Sequence, residues 1–275
     1  MAISAADVMK LRKATGAGMM DCKKALAEAE GDFDRAVEII REKGKAIANK
    51  RADREASEGA AIAKTSADGK TGGLVVLNCE TDFVAKNDNF VAFATSILDL
   101  ALANGASTIE EVKALELDGR TVEAQVTEQT GIIGEKIELS HYAKVDAESV
   151  AAYIHPGNKL ATLVGFTKAG VEEAISKDVA MQVAAMNPVA IDKENVPADV
   201  VEKELTIAKE KFRAEGKPEA MLDKIAQGSL NKFFKENTLM NQVYVKDGKI
   251  SIREFLGNYD KDVTVCAMER FSLNA

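Results

Sequence analysis

Two separated stretches of this chain follow one plan: an apolar run, a turn, a second apolar run, then an amphipathic helix. The first is "GAAIAKTSADGKTGGLVVLNCE", with Asp68-Gly69 as its turn. It is followed by "FVAFATSILDLALANG", where Phe90, Phe93, Ile97, Leu98, Ala101 and Leu102 recur at helical spacing before Asn104-Gly105. The second is "SVAAYIHPGNKLATLVGFTKAG", turning at "HPGN", followed by "EEAISKDVAMQVAAMNP", which stops ahead of Pro188. An internal duplication of a hairpin-plus-helix unit makes the core α+β with antiparallel sheets. "GIIGEKIELSHYAKVDA" supplies a further strand between the copies to bridge the two sheets. Asp247-Gly248 marks another tight turn, and "DVTVCAMERFSL" reads as a closing strand.

Two helical pieces flank this core. In residues 1–44, Ser4 and Asp7 form a capping pair ahead of the stripe Val8, Leu11 and Ala14, and "GAGMM" breaks the pattern before "DCKKALAEAE" resumes it. Gly31 suits a helix C-terminus, Asp32 caps a third helix with Phe33, Ala36, Val37 and Ile40 inward, and Gly44 is expected to end it. The second piece interrupts the second copy. Val201, Leu205, Ala208 and Phe212 share one face, "EGKPE" turns, and Leu222, Ile225 and Phe233 share another: a helical hairpin, either projecting or packed in the core. The division is therefore 1–54 (three-helix head and linker), 55–140 (first core unit), 141–196 with 237–275 (second core unit) and 197–236 (inserted hairpin).

The formal charge of −8 argues against nucleic acid as a direct ligand, since an acidic surface repels phosphates. The basic stretch "KGKAIANKRADR" reads as a solvated helical linker. No apolar run approaches the roughly 20 residues that cross a bilayer, and the N-terminus lacks a secretory pattern, so no membrane partner and a cytoplasmic location are expected. Cys22, Cys79 and Cys266 form no C-x-x-C pair. "GKTGG" lacks the spacing of a phosphate-binding loop, and His141 and His155 stand in no metal-ligand spacing. A catalytic reading built on Cys79 or His155 names no partner group, so the chain is expected to be no enzyme and to hold no cofactor or metal.

"NCETDFVAKND" leaves two readings open. On a single helix running on to Asn104, Phe83 falls seven positions before Phe90 and belongs to the core, which the pattern alone favours. Lys86 to Asn89 interrupt that stripe, however, and Asp88 can cap a new helix, leaving "TDFV" as a turn of its own between strand and helix. An aromatic mounted there makes an anchor for a partner.

"LRKATGAGMMDCKKAL" (11–26) and "LNCETDFVAKNDNF" (77–90) closely resemble the two signature segments of the elongation factor Ts family, and "TGIIGEKIEL" stands at the family's Ile-Gly-Glu-Asn segment. The resemblance implies a ubiquitin-associated-like head, a duplicated core, and guanine-nucleotide exchange on the GTPase elongation factor Tu. It implies that Thr81, Asp82, Phe83 and Val84 push in near the partner's Mg²⁺ site, with Phe83 as the wedge. Ile133 and Gly134 would lie beside it, His155 in a second contact loop, and Met19 and Met20 of the head against the GTPase domain. The pattern departs at Gln182, where the family commonly has His, and in "HPGNKLATLV", which lacks the family's paired glycine and arginine. A homodimer through the core or the hairpin stays open, as does an adaptor that holds its partner without accelerating nucleotide release.

Overall fold

The computed structural model describes residues 3–273. The head comprises α1 (Ala5–Thr15), α2 (Met19–Glu28) and α3 (Phe33–Arg51) around Leu11, Cys22, Ala25, Leu26, Ala36 and Ile39. Ser4 and Asp7 exchange both bonds of a capping box, Gly16 closes α1 at φ 72°, and Asp32 accepts the Arg35 N–H to start α3.

One boundary expected from the sequence is wrong. Gly44 does not end the third helix, which continues through it to Arg51. It lies instead against Gly131, and the close approach constrains Gly131, whose added Cβ would meet the Gly44 Cα at 2.3 Å. The basic stretch is thus the last two turns of α3 with the turn that follows them, and part of the head's attachment to the core.

The core is two three-stranded antiparallel sheets of the same order. One is β1 (Glu58–Thr65), β2 (Thr71–Cys79) and β5 (Glu138–Asp146); the other is β6 (Ser149–Ile154), β7 (Leu160–Phe166) and β10 (Val265–Ser272). Each sheet has the second strand of its hairpin at the centre and a later strand at the edge, so the duplication extends to the third strand. The sheets face each other. Leu74, Val76 and Val145 of the first meet Ala161 and Leu163 of the second. Alternate residues Val75 and Leu77 point the other way, onto α5 (Asp88–Ala103). Both faces of β2 are therefore buried, which explains the unbroken apolar run "LVVL". Gly72 and Gly73 belong to this packing, since Cβ atoms there would lie 2.6 Å from Val150 and 2.7 Å from Leu98.

Between β2 and β5 come α4 (Asp82–Ala85), α5, α6 (Ile109–Ala114), a small ribbon of β3 (Glu116–Leu117) and β4 (Arg120–Thr121), and α7 (Val122–Ile133). In the second unit, α8 (Glu173–Met186) covers Val164 and Phe166 through Val179 and Val183. The inserted hairpin, α9 (Ala198–Ala214) and α10 (Glu219–Asn237), packs chiefly on itself through Ala208, Leu222, Ala226 and Leu230, and so projects. Its neck is clipped: Val189 N–H bonds Asn237 O at 2.8 Å and Leu239 N–H bonds Ala190 O at 2.9 Å. The ribbon β8 (Val243–Tyr244) and β9 (Asp247–Ser251) follows, with Asp247 at its turn. Then comes α11 (Ile252–Tyr259), a helix absent from the sequence expectations although Ser251 and Glu254 form its capping box.

Candidate partner-binding surface around Phe83

β2 ends at Cys79, and the chain makes one helical turn, α4, before Asn87 accepts the Asn89 N–H and starts α5. The one-helix reading fails here, and so does Asp88 as the cap. Ala85 N–H bonds Thr81 O at 3.2 Å, Lys86 N–H bonds Asp82 O at 3.1 Å, and Asn87 N–H closes onto Val84 O at 3.0 Å. Ala85 is buried and Val84 packs against the first sheet's core. That orientation sends Phe83 the opposite way. Its side chain is 83% exposed, the most exposed large apolar residue among those described, and the core reading of Phe83 is overturned. One buried and one half-buried anchor on a four-residue turn leave its remaining side no route inward.

The neighbourhood is built from three directions. Thr81 donates twice to Glu135, from its N–H to Oε2 at 3.0 Å and from Oγ1 to Oε1 at 2.7 Å. Glu80 Oε1 accepts the Lys136 N–H at 2.6 Å and Arg51 Nη1 at 2.7 Å. The Lys136 N–H first, with the Arg51 guanidinium adding to it, holds the Glu80 carboxyl below the usual range. Asp82 is held low chiefly by Lys86, whose ammonium is 2.6 Å from Oδ2, with a smaller pull from Lys159. Lys159 sits in the β6–β7 turn and pairs with Glu58 at 2.8 Å.

Of the residues singled out from sequence, the structure brings most together. Phe83, Val84 and Ile133 line one groove of about 600 Å³, with Phe90 and Phe93 on one wall and Ala14, Thr15 and Gly16 of the head on another. Gly134 caps α7 at φ 82°, one residue before Glu135. His155 is exposed in the β6–β7 turn that also carries Lys159, its Nδ1 3.1 Å from the Tyr153 hydroxyl. Met19 and Met20 begin α2, 39% and 62% exposed, and lie outside the groove's lining. Sequence reading missed Glu80, Glu135 and Arg51. Glu135 lay inside the quoted "TGIIGEKIEL", but an acid in a loop carries no periodicity to mark it.

Gln182 is fully buried. It donates to Gln242 Oε1 at 3.3 Å and Val243 O at 3.1 Å, and accepts the Val245 N–H at 2.9 Å, so it holds the β8 segment against α8.

Burial, with the charge of Glu135 adding to it, pushes the Cys79 thiol up to about 12, and burial likewise raises Cys22. Among the described residues no group of three or more His, Cys, Asp or Glu is placed to hold a metal, and no helix is long and apolar enough to cross a membrane. What the site presents is an exposed ring on a buried mount, beside a groove.

Residues 80–275 match the family model described as Elongation factor TS. The chain is 55% identical over 273 residues to elongation factor Ts of Christiangramia forsetii, covering 98% of each chain. It is 53% identical over 277 residues to that of Amoebophilus asiaticus, covering 100% of each. The chain belongs to the elongation factor Ts family. It is thereby a translation elongation factor of protein biosynthesis, with the family's three-helix head and paired antiparallel sheets. The matched stretch opens at Glu80, directly before the Phe83 turn, and the similarity to the relatives extends through the head as well.

Proposed function

We propose that this chain is a guanine-nucleotide exchange factor: it binds elongation factor Tu·GDP and accelerates GDP release by displacing Mg²⁺, without forming or breaking a covalent bond. The observation that carries this reading is the 83% exposure of Phe83 on a turn whose other apolar residues are anchored. A ring that is already out of the core costs the factor nothing to insert elsewhere. A close-packed partner cannot absorb it by small elastic strain, and shifts to a second packing. In this reading Thr81, Asp82, Phe83 and Val84 press on the elements that hold Mg²⁺ against the phosphates, and loss of the ion's charge weakens the hold on GDP. Ile133 and Gly134 flank the wedge, His155 makes a second contact, Met19 and Met20 bring the head to the GTPase domain, and the second core unit meets another domain of the partner. The division into 1–54, 55–140, 141–196 with 237–275, and 197–236 follows these roles except at the boundary between the core units, which belongs after Asp146 because β5 pairs with β2 as the third strand of the first sheet; a cytoplasmic location follows from the partner.

Linkage supplies the test. Weakening of GDP by the factor requires equal weakening of the factor by GDP, at about 1.4 kcal/mol per tenfold. The factor should therefore co-elute with nucleotide-free elongation factor Tu in gel filtration and separate on adding GDP or GTP. A complex of unchanged strength with and without nucleotide would favour an adaptor instead.

A further inference from the structure

We infer that Glu135 and Glu80, two carboxylates crossed between neighbouring turns, are positioning residues that aim Phe83; this rests on the exchange reading above. Thr81 precedes α4 and gives both of its donors to Glu135, at 3.0 and 2.7 Å. In the other direction Glu80, on the same turn, accepts the backbone N–H of Lys136 at 2.6 Å. Each turn thus binds the other's backbone, and two bonds on one side with one on the other leave little freedom to rotate.

The head joins the same clamp. Arg51, the last residue of α3, reaches Glu80 at 2.7 Å, and Lys136 Nζ donates to Ala52 O at 3.0 Å.

The aim of Phe83 needs such a device. Its ring packs on almost nothing, so its direction is inherited from α4, and a single helical turn is not stable by itself. A Thr at an N-cap normally accepts an N–H of its own helix. Thr81 makes no such bond and donates its hydroxyl to Glu135 instead, so α4 is referenced to the α7–β5 turn and to Ile133 and Gly134 beside it. A mount fixed in advance spends binding energy on the partner instead of on ordering itself.

The test is release of fluorescent GDP from elongation factor Tu at rising factor concentration, for the wild type, Glu135→Ala, Glu135→Gln, Phe83→Ala and the double variant Glu135→Ala with Phe83→Ala. Positioning predicts that Glu135→Ala lowers the maximal rate at saturation by roughly 10- to 100-fold, more than it raises the half-saturating concentration. Glu135→Gln should lose less, since one acceptor remains. The double variant should be no slower than Phe83→Ala, because an aimed ring and its mount act as a unit. An unchanged maximal rate in folded Glu135→Ala, or a double loss equal to the product of the singles, would overturn the inference. Should the alanine variant fail to fold by circular dichroism, Glu135→Gln, of the same volume, decides by its own maximal rate and its own double variant. Absence of acceleration by the wild type would overturn the exchange reading itself, and would be seen before any variant is compared.

Discussion

Gly44 of α3 and Gly131 of α7 meet backbone to backbone, close enough that a Cβ on Gly131 would lie 2.3 Å from the Gly44 Cα. This crossing, with Arg41–Glu128 at 3.4 Å and Arg51–Glu80 at 2.7 Å beside it, seats the head on the first core unit. Two parts that would otherwise be joined only by the non-helical residues 52–57 are thereby held in one arrangement, with the end of α1 forming a wall of the groove next to Phe83.

The two glycines are not equivalent. A Cβ on Gly44 would stand 3.7 Å from Gly131, an ordinary contact. Gly44→Ala should therefore be neutral or stabilising by up to about 1 kcal/mol through helix propensity. Gly131→Ala should destabilise by about 1 to 3 kcal/mol, because backbone has to move. Thermal unfolding of both variants checks this, and equal shifts would show that the crossing is not tight.

Glu80 gives the docking a pH dependence. Its carboxyl titrates below 4.5 in the folded chain because the Lys136 N–H and Arg51 favour the charged form. A folded value below the unfolded one stabilises fully above the unfolded value and is lost as pH falls through the folded one. Glu80→Gln should thus melt below the wild type at neutral pH, and the gap should close as pH falls through the depressed titration of the Glu80 carboxyl. A gap constant with pH would mean that the carboxylate's charge contributes nothing.

Gln182 should matter for stability and not for chemistry. Its removal leaves Gln242 Oε1 short of a partner in a buried place, and the Val245 N–H and Val243 carbonyl short of one at the part-buried edge beside it. Gln182→Ala should cost about 1 to 3 kcal/mol in denaturant unfolding. No loss would imply that β8 is held without it.

The cysteines separate cleanly. Cys266 is exposed, while Cys22 and Cys79 are buried. With the thiol of Cys79 pushed up to about 12, a disulfide reagent at pH 8 should modify Cys266 first and reach the other two only on unfolding. Fast modification of Cys79 in the folded chain would reopen a thiol mechanism.

The fold was legible wherever periodicity carries it. The duplicated hairpin-plus-helix units, the caps at Ser4 and Asp32, and the projecting pair of helices all rest on spacing along the chain. What stayed hidden depends on distant partners. Gly44 looks like a helix stop until Gly131 is found against it. Phe83 shares a heptad position with Phe90 and leaves the core only because Ala85 and Val84 take the inward side of a separate turn. Glu135 has no pattern of its own, and its meaning comes from Thr81, 54 residues away. The helix α11 has a capping signal in Ser251 and Glu254, but Ser251 also closes the short β8–β9 ribbon, whose strand pattern overlaps it.

Phe83 also offers the most direct test, since its exposure means that truncation should leave stability within about 0.5 kcal/mol, whereas Phe90→Ala, in the core, should cost about 3 to 5 kcal/mol. The decisive measurement is stopped-flow release of fluorescent GDP from elongation factor Tu with this protein and with folded Phe83→Ala. The wedge account predicts acceleration by the wild type that largely disappears in the variant. Equal acceleration by both would contradict it.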